Sequence, residues 1–190
     1  MRLNPLESSP HGDTLVAVVV GALLATLSGV VANQLETFFR RRERERAAAL
    51  LFGEVLSSLR VILEGAERTR HIGAPYGPVT RRMLHAARRE IDIYERNREG
   101  LLDLRDSGLR VELHALVVRL AMPLDGVIDS FTDPGGSDDE ARDLGFEFMV
   151  ESLGAVPAMV ARLGGIAGHR FDHYDRITRP GGVGSLGPMS

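Results

Sequence analysis

The sequence predicts an all-α protein, with one N-terminal transmembrane helix that continues into a cytoplasmic antiparallel bundle of about four helices. Three observations predict this class. Residues from Thr14 to Leu35 include no charged side chain. Beyond them, apolar residues recur every three or four positions, which is the spacing of one helix face. Aromatic residues make up only 5% of the chain, so the core must be built from aliphatic residues and Met, which suits helices better than sheets.

The composition excludes several kinds of site. The chain has no Cys, so it has neither disulfide bonds nor thiolate metal ligands. It also has no Lys, and all 23 basic residues are Arg. Because the net charge of −3 is close to balance, no overall field attracts nucleic acid, and the arginines matter only where they cluster. We therefore expect no nucleic-acid partner.

The uncharged N-terminal stretch has the length of a membrane span. Its 22 positions from Thr14 to Leu35 form a helix of about 33 Å, close to the ~30 Å of the hydrocarbon layer. A buried helix of a soluble protein would carry a polar stripe and an interfacial helix a charged face, and the stretch has neither. A signal peptide cleaved near Ala32 is the other alternative, but its apolar core would be shorter, at ~7–15 residues.

An arginine cluster after the span predicts its orientation. Only Arg2 precedes the span, and the side of a span that is richer in Arg stays in the cytoplasm. We expect a single pass through the inner (plasma) membrane, with the N-terminus outside and the remaining domain in the cytoplasm. The cluster would also contact anionic lipid headgroups. Its members are Arg40, Arg41, Arg42, Arg44 and Arg46.

Small residues recur every four positions within the span. They are Ala17, Gly21, Ala25 and Gly29, which share one helix face. Such a face lets two helices approach closely in lipid. We expect homo-oligomerisation, or pairing with another membrane protein, through this face.

The whole chain divides into segments of different composition. A short extracytoplasmic N-terminus is predicted at residues 1–13, the transmembrane helix at 14–39 and an Arg-rich stalk at 40–50. The helical bundle is predicted at 51–178, and a disordered tail without periodicity at 179–190.

Three segments carry the apolar stripe of a bundle helix. The first continues out of the stalk and should end near His71, before a loop rich in Gly and Pro. The second should begin near Thr80, with Thr80 or one of its neighbours as the candidate N-cap, and a break is expected between Gly100 and Gly108. The third contains Pro123, which should kink it. The predicted core positions are Phe52, Leu56, Leu59 and Leu63; Leu84, Ala87, Ile91 and Tyr94; and Leu109, Leu113, Leu116, Leu120, Leu124, Val127 and Phe131.

A fourth helix is predicted from about Asp139 to Ala167, with a bend at Pro157. Its apolar residues, which include Leu144, Phe146 and Phe148, lie on more than one face. We therefore expect it to be the most buried helix of the bundle.

One short stretch has ligand-like side chains. In a helical conformation His169 and His173 would share a face with Asp172 beside them, and these three residues could bind a divalent metal. The stretch lacks the Glu-x-x-His pairs of carboxylate di-metal bundles and the His-Glu-x-x-His of zinc proteases. A polar helix end is the simpler interpretation, so we expect no cofactor.

No motif in the chain assembles a catalytic nucleophile or a phosphate-binding loop. The sequence therefore favours a non-enzymatic, membrane-anchored helical interaction module, an adaptor or scaffold that binds an unknown cytoplasmic protein or itself. A transmembrane signal-relay or regulatory subunit is one alternative. A metal-binding helical protein is the other.

Overall fold

The computed structural model describes residues 10–72, 74–131 and 139–171. At 10–17, 22–30 and 32 it describes the backbone only. Within these residues the protein is all-helical, which confirms the predicted class. The predicted transmembrane span lies largely among positions whose side chains are not described, so it stays a prediction. The helices are α1 (Pro10–Ile72), α2 (Pro78–Arg96), a 3-10 helix (Arg98–Asp103), α3 (Ser107–Asp129), α4 (Asp139–Leu153) and α5 (Val156–Ala167).

The chain forms two compact units, Met1–Glu43 and Arg44–Ser190. In the first unit, large apolar side chains of α1 are exposed where they are described. Two of them, Phe38 and Phe39, contact each other edge to face, with ring centroids 6.0 Å apart. The large apolar side chains described in this unit are therefore all on its surface, together with polar and charged ones from Asn33 onward. The exposed apolar residues are Val18, Val19, Val20, Val31, Leu35, Phe38 and Phe39.

The second unit is the helical bundle, and it buries the predicted faces. In α1 the predicted stripe is fully inside the core, and the same holds for α2 and α3. Phe131, just after α3, is partly buried against the same core. The spacing of apolar residues was therefore sufficient to identify the buried face of each helix. The confirmed positions are Phe52, Leu56, Leu59, Leu63, Leu84, Ala87, Ile91, Tyr94, Leu109, Leu113, Leu116, Leu120, Leu124 and Val127.

Contacts at both ends of neighbouring helices show that α1 and α2 run antiparallel. At one end the hydroxyls of Thr69 and Thr80 lie 3.1 Å apart. At the other end the rings of Phe52 and Tyr94 are 5.6 Å apart. Thr80 is buried by this arrangement and is not the N-cap; that position belongs to Gly77, because α2 already begins at Pro78.

Helices α3, α4 and α5 complete the antiparallel arrangement. The end of α2 contacts the beginning of α3, where the Tyr94 hydroxyl lies 3.0 Å from His114 Nδ1. The beginning of α4 approaches the end of α3, where Gly145 lies beside Val127. Helix α5 returns to the beginning of α3, because Arg162 forms an ion pair with Glu112.

The predicted fourth helix is two helices, since the chain breaks at Gly154 and Ala155. The break falls before Pro157, which lies in the first turn of α5. Proline has no N–H to donate to Leu153, and its ring crowds that carbonyl. Gly154 also has a low helix propensity, so the two residues together favour a break here, whereas α3 continues through Pro123. By length and mean hydropathy alone, the segment Asp139–Ala167 is long and apolar enough to cross a membrane.

The prediction that this fourth segment is the most buried one was wrong. Phe146 and Met149 of α4 enter the core, but Leu144 and Phe148 are exposed. Successive helical residues are 100° apart, so residues two positions from Phe146 point away from the core. The apolar residues on the second face of α4 therefore form surface.

The predictions for the break after α2, for Pro123 and for the C-terminal tail have different outcomes. Part of the expected break between Gly100 and Gly108 forms the 3-10 helix. Leu101 and Leu104 of this segment insert into the core. Helix α3 continues through Pro123 to Asp129. The predicted tail at 179–190 lies outside the described residues.

The end of the described chain packs onto α1 through glycine. Helix α5 ends at Ala167, and the next residue, Gly168, has a left-handed φ of 67° that turns the chain back. The Phe171 ring then lies directly on the backbone of Gly53, so close that a Cβ there would be 2.2 Å from the ring. Only glycine at position 53 permits this contact.

We therefore expect Gly53→Ala to destabilise the bundle by overpacking, at a cost of about 1–3 kcal/mol in the free energy of unfolding. Urea unfolding would measure the change. In a Phe171→Ala background the same substitution should cost nearly nothing, because the ring that it meets is absent. Equal costs in the two backgrounds would show that the contact is not made.

An aspartate caps the first turn of α3. The Asp106 carboxylate accepts a hydrogen bond of 3.0 Å from the backbone N–H of Leu109. This bond, followed by the contact with Arg162, holds the pKa of Asp106 below its usual value. The charged form is thereby favoured in the folded protein.

The capping contribution should be pH-dependent. It is present above the ordinary pKa of 3.8 and is lost as the pH falls through the lowered folded pKa. We expect Asp106→Asn to lower the melting temperature near neutral pH and to make its decline below about pH 4 less steep than in the parent protein. Melting curves across this range would measure both effects. Asp103→Asn, which removes a carboxylate that does not cap α3, is the control for the loss of one negative charge.

Candidate functional site

The predicted membrane-associated residues are only partly described. All five members of the arginine cluster are exposed. Arg40 pairs with Glu36 one helical turn away, at 2.6 Å. In the small-residue row, Gly21 is exposed with open space around it, whereas the side chains of Ala17, Ala25 and Gly29 lie outside the described residues.

Only one of the three weak metal candidates lies among the described residues, so their convergence stays a prediction. His169 is exposed after the end of α5, its N–H donates to the carbonyl of Gly164, and its ring contacts Phe171 edge to face. Asp172 and His173 lie outside the described residues. Among the side chains that the structure describes, no three of His, Asp or Glu converge as metal ligands.

A cleft of about 470 Å³ lies between α1 and α5. Its walls are largely apolar, and His169, Arg170 and Phe171 close one end. Its polar groups on α1 are already bonded. The Ser57 hydroxyl donates to the carbonyl of Gly53, and Arg60 pairs with Glu64 at 2.6 Å. Because Ser57 is bonded to its own helix, the cleft presents no activated nucleophile.

A polar cluster connects the end of α1 to α4. The Tyr76 hydroxyl and the Arg70 guanidinium both donate to Asp143 Oδ1, each at 2.6 Å. Arg70 also lies over the ring of Phe146, 4.8 Å from its centroid. Burial of the Tyr76 hydroxyl, together with its bond to Asp143, raises the pKa of Tyr76. The cluster keeps the tyrosine protonated and holds three segments together.

We expect Tyr76→Phe to cost about 1 kcal/mol of unfolding free energy near neutral pH, because it removes one hydrogen bond and keeps the ring contacts. The raised pKa means that the tyrosine stabilises the fold below its ordinary pKa of 10.0 and that this stabilisation is lost at higher pH. The variant should therefore lose less stability in alkali than the parent protein. Urea unfolding at neutral and alkaline pH checks both results, and an unchanged alkaline loss would contradict the assignment.

A second polar cluster connects α2 and α3. Arg88 forms ion pairs with Asp92, Glu95 and Asp125, at 3.4, 3.3 and 3.1 Å. Partial burial raises the pKa of Asp125, and the neighbouring carboxylates raise it further against the lowering effect of Arg88. One arginine shared by three carboxylates fixes the positions of two helices. The cluster therefore has a structural role between α2 and α3.

An exposed apolar surface covers the outside of α3 and α4. We call it the outer face. On α3 it runs opposite the buried leucines, and on α4 it runs opposite Phe146 and Met149. Met122 is 71% exposed and Leu144 is 68% exposed. Contiguous exposed apolar residues of this kind mark interaction sites more often than isolated ones do. The outer face consists of Val111, Ala115, Val118, Met122, Leu144 and Phe148.

Two shallow depressions between α3 and α4 extend this surface. One of about 510 Å³ is lined by Pro123, Leu144 and Phe148. The other, of about 360 Å³, is lined by Leu116, Arg119 and Phe148. Phe148 borders both, so the apolar surface of α4 is continuous with the side of α3. Together these features form the candidate site.

The sequence carries a signal for the outer face beside the stripe of buried leucines. Val111, Ala115, Val118 and Met122 follow a second 3–4 rhythm, displaced from the stripe of buried leucines on the same helix. The leucine stripe is longer and predicts the core, and the second, shorter stripe lies on the opposite side of the helix.

Comparison of the chain with protein-family models, with curated proteins and with solved structures found no match. The function is therefore argued from the geometry of the described residues.

Proposed function

We propose that this protein is a non-enzymatic, membrane-anchored interaction module, which uses the outer face of its cytoplasmic bundle to bind protein. The N-terminal part of α1 would cross the inner membrane once, and the bundle would lie on the inner side. The observation that carries the proposal is the outer face itself. It displays six apolar side chains outside a core that is already closed.

The exposed apolar side chains are in contact with water, and removing them from water is favourable. Each large apolar side chain that a partner buries contributes about 1.5–3 kcal/mol. Exposing Met122 and Leu144 therefore costs solubility without contributing to the fold, and a binding partner would recover that cost. The depressions beside Phe148 give such a partner a shaped surface.

Two features of α1 support the anchor. Its described apolar side chains before residue 40 are exposed, which suits a lipid environment. The five clustered arginines that follow are all exposed as well, and they could reach lipid headgroups. A signal relay from the span into the bundle stays a prediction of the sequence.

Photo-cross-linking in intact cells tests the interaction module. A photoreactive residue placed at Met122 of the full-length protein should form a covalent adduct with a protein, identified by mass spectrometry. The matched control is Leu102, which is 75% exposed against 71% for Met122 and lies in the 3-10 helix away from the outer face. We expect at least about a tenfold higher adduct yield at Met122.

Extraction of the same membranes with alkaline carbonate tests the anchor. The full-length protein should stay in the membrane pellet. Equal adduct yields at the two positions would argue against a binding function of the outer face, and release into the supernatant would argue against a membrane span.

A further inference from the structure

We infer that the cleft between α1 and α5 binds a fatty acid, that is, an amphiphile with a single acyl chain and a carboxylate. The acyl chain lies along the apolar walls, and the carboxylate lies at the end that His169 and Arg170 close. This inference goes beyond the proposed function, because the cleft is separate from the outer face. All residues that line the cleft belong to the second unit, Arg44–Ser190.

One face of each helix forms a wall of the cleft. The lining residues of α1 follow one another at intervals of three and four positions, and those of α5 have the same spacing. Residues at this spacing lie on one side of a helix, so α1 and α5 each turn one face to the cleft. These residues include Ser57, Val61 and Glu64 on α1, and Val160, Ala161 and Gly165 on α5.

The polar groups of α1 do not require a polar ligand. The Ser57 hydroxyl already donates to the carbonyl of Gly53 at 2.7 Å. Arg60 and Glu64 are both partly buried and neutralise each other at 2.6 Å. Because these groups have partners within the protein, a ligand gains mainly by removing apolar surface from water. An acyl chain has the chemistry that this wall favours.

The cleft has the size of one acyl chain. Its volume of about 470 Å³ lies within the ~300–1,000 Å³ that is typical of sites for small ligands. If a methylene group occupies about the ~30 Å³ of a water molecule, the cleft holds a single chain of roughly 15 carbon atoms. The two chains of a membrane lipid exceed this volume. The size therefore favours an amphiphile with one chain.

The charges at the two ends of the cleft orient this ligand. Phe171 lies on the backbone of Gly53, so the neighbouring His169 and Arg170 close the cleft at that end. A guanidinium has five N–H donors in a fork that fits a carboxylate, and Arg170 can therefore bind the ligand and keep another contact. Glu64 lies about 16 Å further along α1 than Gly53, and its charge disfavours a carboxylate there.

Photo-labelling of the full-length protein tests the site. The purified protein, in nanodiscs of phosphatidylcholine, is irradiated with a palmitate analogue that carries a diazirine in its chain. Mass spectrometry of peptides then locates the adducts. We expect adducts on both walls, at Val61 and Ala161, and a lower yield when unlabelled palmitate competes. Absence of adducts at these walls would overturn the proposal.

Two exposed glycines provide a matched pair of variants. A Cβ at Gly165 would have no atom within 4 Å, and the same holds at Gly126 of α3, which does not line the cleft. Gly165→Leu should therefore fill the cleft without overpacking the bundle. We expect it to lower the adduct yield at Val61 by at least about tenfold, the effect of losing two buried methylene groups.

Gly126→Leu is the control and should leave the adduct yield at Val61 unchanged. Both variants replace an exposed helical glycine with leucine, so both gain a similar helix propensity. Melting temperatures show whether both variants fold. Equal yields at Val61 in Gly165→Leu and Gly126→Leu would overturn the cleft as the binding site.

Competition by palmitate and by hexadecanol tests the carboxylate, since the two molecules have the same chain. We expect palmitate to compete at a concentration at least about tenfold lower, because hydrogen bonds to a charged group are stronger than those to a hydroxyl. Arg170→Gln should remove this difference. Arg82→Gln, which changes an exposed arginine of α2, should keep it. Equal competition in the parent protein, or a full difference in Arg170→Gln, would overturn the assigned position of the carboxylate.

A phosphatidylglycerol with a diazirine in one chain distinguishes a free fatty acid from a membrane lipid. We expect this lipid to give little adduct at Val61, because two chains do not fit the cleft. Labelling at Val61 as efficient as that by the palmitate analogue would overturn the fatty acid as the ligand. All these readouts lie in the cleft, so the result at Met122 of the outer face does not affect them.

Discussion

The burial of one face of α3 is the constraint on which the rest of the bundle depends. Leu113, Leu120 and Leu124 are completely inside the core. Helix α2 packs beside them through the contact of Tyr94 with His114, and α4 packs at Gly145. Because a helix can turn only one face to one core, burying these leucines puts the opposite face of α3 in water. The outer face is thus a direct consequence of how the core is closed.

Polar contacts then fix the directions of the helices around this core. Arg88 holds α2 to α3, and Arg162 holds α5 to the beginning of α3. Asp143 receives donors from two different segments at one oxygen. Partly exposed ion pairs of this kind contribute little free energy each. They contribute to the specificity of the fold. In a different arrangement of the helices these charges would lose their partners, so that arrangement would be less favourable.

Glycine and proline determine where the chain can turn and how closely it packs. Pro157 and the neighbouring Gly154 favour a break in the segment that begins at Asp139, so α4 and α5 follow one another with a turn between them. Gly53 and Gly164 give the end of the described chain a place against α1, and Phe171 fills it. The cleft between α1 and α5 lies next to this contact, and Phe171 forms part of its wall.

The sequence by itself determined the helical class and the buried face of α1, α2 and α3, because a stripe at helical spacing is a local property that every core of this kind requires. It could not determine that Leu144 and Phe148 lie outside, or that Asp143 accepts from both Arg70 and Tyr76. An apolar residue becomes core or surface according to which neighbour covers it, and residues about seventy positions apart meet only after the helices have packed. The second apolar stripe of α3, which includes Val111 and Met122, lies in solvent because no described helix covers it, and only the tertiary structure decided that.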